Sequence, residues 1–265
     1  MPVHFNSFIA DKEEELKTNL FSNIVQKYTQ DAEDIFVSED KKSIHMTNYI
    51  REINTNEIIG KVVITLKVRD NAIEIVDTDI TIKNPNITKL HFDEKLQQSS
   101  EANEYYTVIS DDDSHFQIET VNRYSLKSEN IEGTDQKVYL SAFPFQLDLY
   151  SNENEMNSAL GFKEPIKVGN TDMYVNGYST NIMAVGNVLS GKSDEPSSFI
   201  IGIIEDYKDV IVKIADINIS YTIIYINTAI GTLPVAVHRA NFDLSKLQKG
   251  NILAMFADVK ADFKE

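Results

Sequence analysis

The sequence predicts an α+β protein that is mostly antiparallel β, with an N-terminal helix packed on an antiparallel sheet and a small β-barrel at the C-terminus. Three observations predict it. Apolar residues recur at helical intervals only near the start of the chain. From Ile44 onward they alternate. Ile outnumbers Leu 32 to 15, and β-branched residues suit a pleated surface.

The helix is the first element. Leu16, Leu20, Phe21, Ile24, Val25 and Tyr28 fall three or four apart and form one apolar stripe. Asp11 with Glu14 makes a capping pair, and Glu13–Glu15 suit the positive end of the helix dipole. The period then changes from 3.6 to 2. Strands are expected over 43–53, 57–69 and 72–83, joined by the short turn signals Asn54-Thr55-Asn56 and Arg69-Asp70-Asn71. Connections this short make a meander, because parallel strands need crossover helices. A short helix is expected at 88–96 and a polar interruption from Asp93 to Glu104. Strands resume at 115–126 and 137–150, the latter interrupted at Pro144, which predicts a bulge or an edge.

Eight of the ten glycines lie between 161 and 250. This shift, with the polar stretch Ser151–Asn157 read as a linker, predicts a boundary that separates a domain of residues 1–155 from one of 156–265. The second domain is expected to hold strands at 181–189, 199–205, 210–217, 219–227, 232–238 and 251–259, with a helical turn at 242–248 stopped by Gly250. No internal repeat is visible. The layout is similar to the oligonucleotide/oligosaccharide-binding (OB) barrel, an analogy of fold that carries no function.

Composition excludes several classes. The chain has 265 residues and no Cys, which removes thiol catalysis, zinc ribbons and disulfide scaffolds. Lys and Arg number 25 against 41 Asp and Glu, for a net charge of −16. The acid excess is concentrated in residues 1–150, with 27 acids and 15 bases. Nucleic-acid binding normally needs clustered bases, so the charge argues against it. No 20-residue apolar run is present, and the first fifteen residues lack a basic-then-apolar leader. With Met1 as the natural start, this predicts a cytoplasmic chain with no membrane segment.

Gly186-Asn187-Val188-Leu189-Ser190-Gly191-Lys192-Ser193 fits G-x-x-x-x-G-K-[ST] letter for letter, with Glu205-Asp206 as a Walker-B-like carboxylate pair. A phosphate loop must open a helix. Here Asp194-Glu195-Pro196 follows, and a strand is expected by Phe199, so the motif predicts a loop and no nucleotide binding. Asp111-Asp112-Asp113 with His115 and Glu119 lacks the spacing of a calcium loop. It reads as a solvated turn. Asp77 and Asp79 read as one wet strand face. The five His show no zinc spacing, and no G-x-S-x-G elbow occurs. No metal and no cofactor are expected.

One ligand-facing patch is expected in the less acidic half. His238 and Arg239 follow an apolar strand, and Tyr221 and Tyr225 alternate nearby. Arg grips carboxylate or phosphate, and Tyr stacks. The function predicted is a binding or assembly module without a catalytic site, meeting a basic protein partner or a second copy through a strand edge. The alternatives are a hydrolase with carboxylates converging in an interlobe cleft, and binding of single-stranded nucleic acid or oligosaccharide by the barrel.

Overall fold

The structure, a computed structural model, describes residues 22–23, 25–38, 42–69, 72–96, 104–121, 130–161, 166–168, 171–173, 177–186, 196–214 and 217–263. It is mostly β, rich in antiparallel pairing, with few helices. The predicted N-terminal helix lies largely outside the described residues. Within them the chain is helical at 22–23 and 25–30, where Val25 and Tyr28 are buried.

The first sheet is a four-stranded antiparallel meander: β1 (Asp34–Val37), β2 (Ser43–Arg51), β3 (Ile58–Arg69) and β4 (Ala72–Ile82). Alternation turns Val62, Ile64 and Leu66 of β3, with Ile80 and Ile82 of β4, into an apolar core. On the other face His45 Nδ1 lies 3.1 Å from Thr65 Oγ1. Burial there pushes the imidazole down to about 4. A depressed histidine makes the unfolded chain the better proton binder below about pH 6.5. Stability should therefore fall as pH drops from about 6.5 towards 4. Discounted for partial exposure, this is about 1 kcal/mol between pH 7 and 5. A His45→Gln variant should show a smaller loss of Tm over that interval in a thermal melt.

The second sheet holds β5 (Thr88–Lys95), β6 (Glu104–Ser110), β7 (His115–Val121), β8 (Thr134–Tyr150), β11 (Ile182–Val185), β12 (Ser198–Ile214), β13 (Ile217–Thr228), β14 (Gly231–His238) and β15 (Ile252–Phe263). Between β8 and β11 lie a short helix, α1 (Glu153–Ala159), and a two-stranded pair, β9 (Ile166–Val168) with β10 (Thr171–Met173).

Several expectations are corrected. Most of the stretch expected as a helix at 88–96 is the strand β5 (Thr88–Lys95), because Leu90 and Phe92 point inward at period two, each 0% exposed. The polar run Glu205–Asp209 does not divide two strands; β12 continues through it with a bulge between Ile204 and Asp206, since β13 supplies partners along its length. The stretch read as a linker is α1. Asn152 Oδ1 accepts from Glu155 N (2.9 Å) and Glu155 Oε2 accepts from Ser151 N (2.8 Å), so the N-cap side chain and the first-turn glutamate together satisfy the helix start. Residues 242–248 form turns rather than a helix. Near Pro144 the register shifts, with Ala257 opposite Pro144 and Phe256 opposite Gln146, so the expected bulge is present.

An internal repeat is present in the topology. β5, β6 and β7 form a meander, and β5 also pairs with β8. β12, β13 and β14 form a second meander, and β12 also pairs with β15. All these contacts are antiparallel. Each meander then closes on the other unit's long strand by a parallel contact, β7 on β15 and β14 on β8. The long strands pair antiparallel from Ile252↔Tyr150 to Phe263↔Val138. Two rings of five ladders thus share one ribbon. Residues on both sides of the expected 155/156 boundary enter one sheet and one apolar cluster, which runs from Leu90 to Phe263.

The ribbon has two unlike faces. On one, Leu253, Met255, Ala257, Val259, Ala261 and Phe263 all enter the main core. On the other, Ile252, Ala254 and Phe256 pack beneath Met156 of α1 and with Tyr178. Further along that face come Asp258, Lys260 and Asp262. The first sheet covers the outer side of β12–β14, where Val210, Val212, Ile219, Tyr221 and Ile223 meet its apolar side. Burying one such side chain contributes about 1.5–3 kcal/mol. The sheets are also tied through backbone, with Ile53 N donating to Ile211 O at 2.9 Å.

Candidate functional site

The most unusual chemistry lies where β4 crosses β7 and β15. Lys260 is 1% exposed, yet charged. Its Nζ lies 3.0 Å from Asp79 Oδ1 and donates to Glu119 Oε2. Burial opposes the charged ammonium, but Asp79, Glu119 and Asp258 outweigh it and hold Lys260 above the usual lysine range. Asp79 also accepts from Ile80 N at 3.0 Å. Two expectations are corrected here. Asp79 is not on a wet face, and Glu119 does not belong with the acidic turn at Asp111. Alternation placed each of them, and Lys260, on a strand's non-core side. Only the close approach of β4 to β7 and β15 removed them from water.

Two residues along the same face of β15, Asp262 pairs with Lys61 of β3 at 2.8 Å, each side chain 14% exposed. This pair opens into a cavity of about 410 Å³ between the first sheet and the ribbon. Ile58, Ile82 and Pro85 make apolar walls, Tyr49 and Tyr139 add rings, and Lys83 stands at the exposed rim. None of this was visible in the sequence. Apart from the consecutive run Thr81–Pro85 at and after the end of β4, its residues come from β2, β3, β8 and β15, far apart in sequence.

The four residues singled out in the sequence do not converge on one cavity. Tyr221 is 3% exposed and meets His238 edge-on across the β13–β14 ladder, ring centroids 5.5 Å apart. Tyr225 packs against the same apolar seam under the first sheet, and burial pushes its phenol up. Arg239 reaches the opposite side of β13. Its Nε donates to Thr222 Oγ1 at 2.9 Å and its guanidinium pairs with Asp209, which accepts from Thr222 Oγ1 at 2.8 Å. There it lines a groove of about 500 Å³ with Tyr207, Phe242, Leu244 and Leu247.

Of the phosphate-loop pattern only Gly186 is described; Asn187–Ser193 lie outside the described residues. The strands that flank it, β11 and β12, are antiparallel neighbours, and Gly186 N donates to Ser197 O at 2.8 Å. A phosphate loop of the strand–loop–helix kind leads to a crossover rather than back along the same strand. Glu205 accepts from Thr232 Oγ1 at 2.9 Å, and Lys249, 2.8 Å from Asp206, holds that carboxyl below its ordinary value.

Among the described residues no group of three or more His, Asp or Glu could hold a metal ion, and no helix is long and apolar enough to cross a membrane. No family model, no curated protein and no solved structure matches the chain.

Proposed function

We propose that this chain is a non-catalytic binding or assembly module that meets a basic protein partner or a second copy along the outer edge of its first sheet. The observation that carries the reading is β1. All four of its residues are exposed, with Ile35 at 60%, Phe36 at 42% and Val37 at 48%. The rung Val37, Ile44, Leu66 and Ile75 crosses the whole sheet, and both of its end members are exposed. Soluble proteins usually shorten, charge or cover such an edge, because an apolar edge strand templates further pairing. A net charge of −16 favours a cationic partner and raises its rate of encounter.

A binding role is supported over hydrolysis by the fate of the buried carboxylates. Asp79 and Glu119 are committed to Lys260 instead of facing a cleft. The ring β12–β13–β14–β8–β15, with its one parallel contact, is similar in layout to an OB barrel, a likeness of frame alone.

Light scattering on the eluting full chain, over a range of concentration and salt, tests the reading. Self-association, or capture of a basic partner that weakens with salt, is expected. The pair Ile35→Lys with Val37→Lys should abolish either one while changing stability by less than about 0.5 kcal/mol, as exposed sites do. A monomer at every concentration that captures nothing at low salt would overturn it.

A further inference from the structure

We infer that the cavity between the first sheet and the ribbon binds a small single-headed amphipathic anion, a carboxylate or sulfonate carried on an apolar body. Charge is the first argument. The lining holds Lys61 and Lys83 against Asp262, a local excess of one positive charge in a chain of −16. Lys61 is already satisfied by Asp262 at 2.8 Å. Lys83 is exposed and makes no ion pair among the described residues, so its ammonium is the free anchor.

The walls decide what the anion is attached to. Ile58, Ile82 and Pro85 offer hydrocarbon, and the rings of Tyr49 and Tyr139 complete the lining, the Tyr49 hydroxyl already donating to Asp34 at 2.8 Å. Mostly apolar walls with a few convergent polar groups are the usual make-up of a small-molecule site. A polyphosphate would meet too little positive charge and the repulsion of the whole protein. A single-headed anion needs only one cation, and its body fits about 410 Å³.

The rim is held before anything binds. Lys83 N donates to Ile59 O at 2.7 Å, and Ile82 N donates to Ser141 Oγ at 3.3 Å. Buried Asn84 donates from Nδ2 to Leu140 O at 2.9 Å and accepts at Oδ1 from Asn86 N. Asn84 is therefore a positioning residue. It spends its amide on the frame and keeps Lys83 and Pro85 in place on either side. A pre-formed rim lowers the ordering cost of binding.

The test uses 1-anilinonaphthalene-8-sulfonate, an aromatic sulfonate, with the folded full chain. Saturable fluorescence enhancement at one site per chain is expected. Lys83→Glu should weaken it by about tenfold, through loss of a charge-assisted contact and added repulsion, while Lys83→Arg retains it. The uncharged analogue N-phenyl-1-naphthylamine should bind the parent chain and Lys83→Glu equally. The pair Ile35→Lys with Val37→Lys should leave the sulfonate affinity unchanged, which separates this cavity from the apolar edge. Absence of saturable binding, binding indifferent to Lys83→Glu, or binding lost with the edge pair would each overturn the inference.

Discussion

A Lys260→Met variant is expected to unfold about 3–5 kcal/mol more easily than the parent chain, because it leaves two carboxylates buried without their cation. The side chains are close in volume, so packing changes little. What is lost is the attraction that Lys260 offers to Asp79 and Glu119, whose side chains are 4% and 2% exposed. The pH dependence separates this cause from a packing defect. Burial without a counter-ion disfavours the charged form of a carboxyl, which lifts its folded pKa above its unfolded value. Such groups add stability below the unfolded pKa and lose it as pH rises. The deficit of Lys260→Met should therefore be largest near pH 7 and narrow towards pH 5, read by denaturant melts at each pH. A packing defect would give the same deficit throughout. Combining Lys260→Met with Asp79→Asn and Glu119→Gln should restore much of the stability, since replacing a whole buried ion cluster is often neutral.

Gly60→Ala is expected to lower stability by about 3 kcal/mol, roughly 10 °C in Tm for a chain of this size. A Cβ on Gly60 would stand 2.1 Å from Thr81 O, a backbone atom of the neighbouring strand. The close approach follows from a bulge. Ile50 faces Gly60 while Arg51 faces Ile58, so Ile59 is the extra residue and the strand bends there. Relief requires β3 and β4 to separate where Gly60, Thr81 and Ile82 line the cavity. The same variant should therefore weaken binding of the aromatic sulfonate. Gly133→Ala is the contrasting case. Nothing lies within 4 Å of its added Cβ, and only the positive φ of 72° opposes it. That variant should cost about 1–2 kcal/mol and leave the cavity intact. Equal losses in the two variants would mean that collision is not what makes Gly60 necessary.

Much of the strand pattern was legible in the sequence. β2, β3, β4, β13 and β14 begin and end within about two residues of the alternating runs, and the bulge sits at Pro144. The misreadings share a physical origin. Glu205–Asp209 look like a turn, but β13 supplies a ladder partner that a local reading cannot weigh. β6 follows directly on the polar interruption and has no counterpart among the expected strands, although Tyr106 and Val108 alternate inward. The Ser151–Asn157 segment looks like a linker because its one apolar side chain is Met156, buried against the ribbon.

The candidate site was less legible still. Asp79, Glu119 and Lys260 each occupy the polar side of an alternating strand, the pattern that normally marks solvent. Tyr221 and Tyr225 occupy a side that looks available to a ligand, yet the first sheet lies over it.

What the sequence determined by itself is which residues are strand, which side of each strand is oily, and that the chain is strongly acidic. These are properties of neighbouring residues and their sum. The tertiary structure decided that each meander closes on the other unit's long strand, that Lys260 is buried between two acids, and that a cation-rimmed cavity forms beside it. Those outcomes depend on pairings between residues more than a hundred positions apart, Glu119 with Lys260 and Lys61 with Asp262, and strand periodicity is blind to which distant surface arrives to cover it.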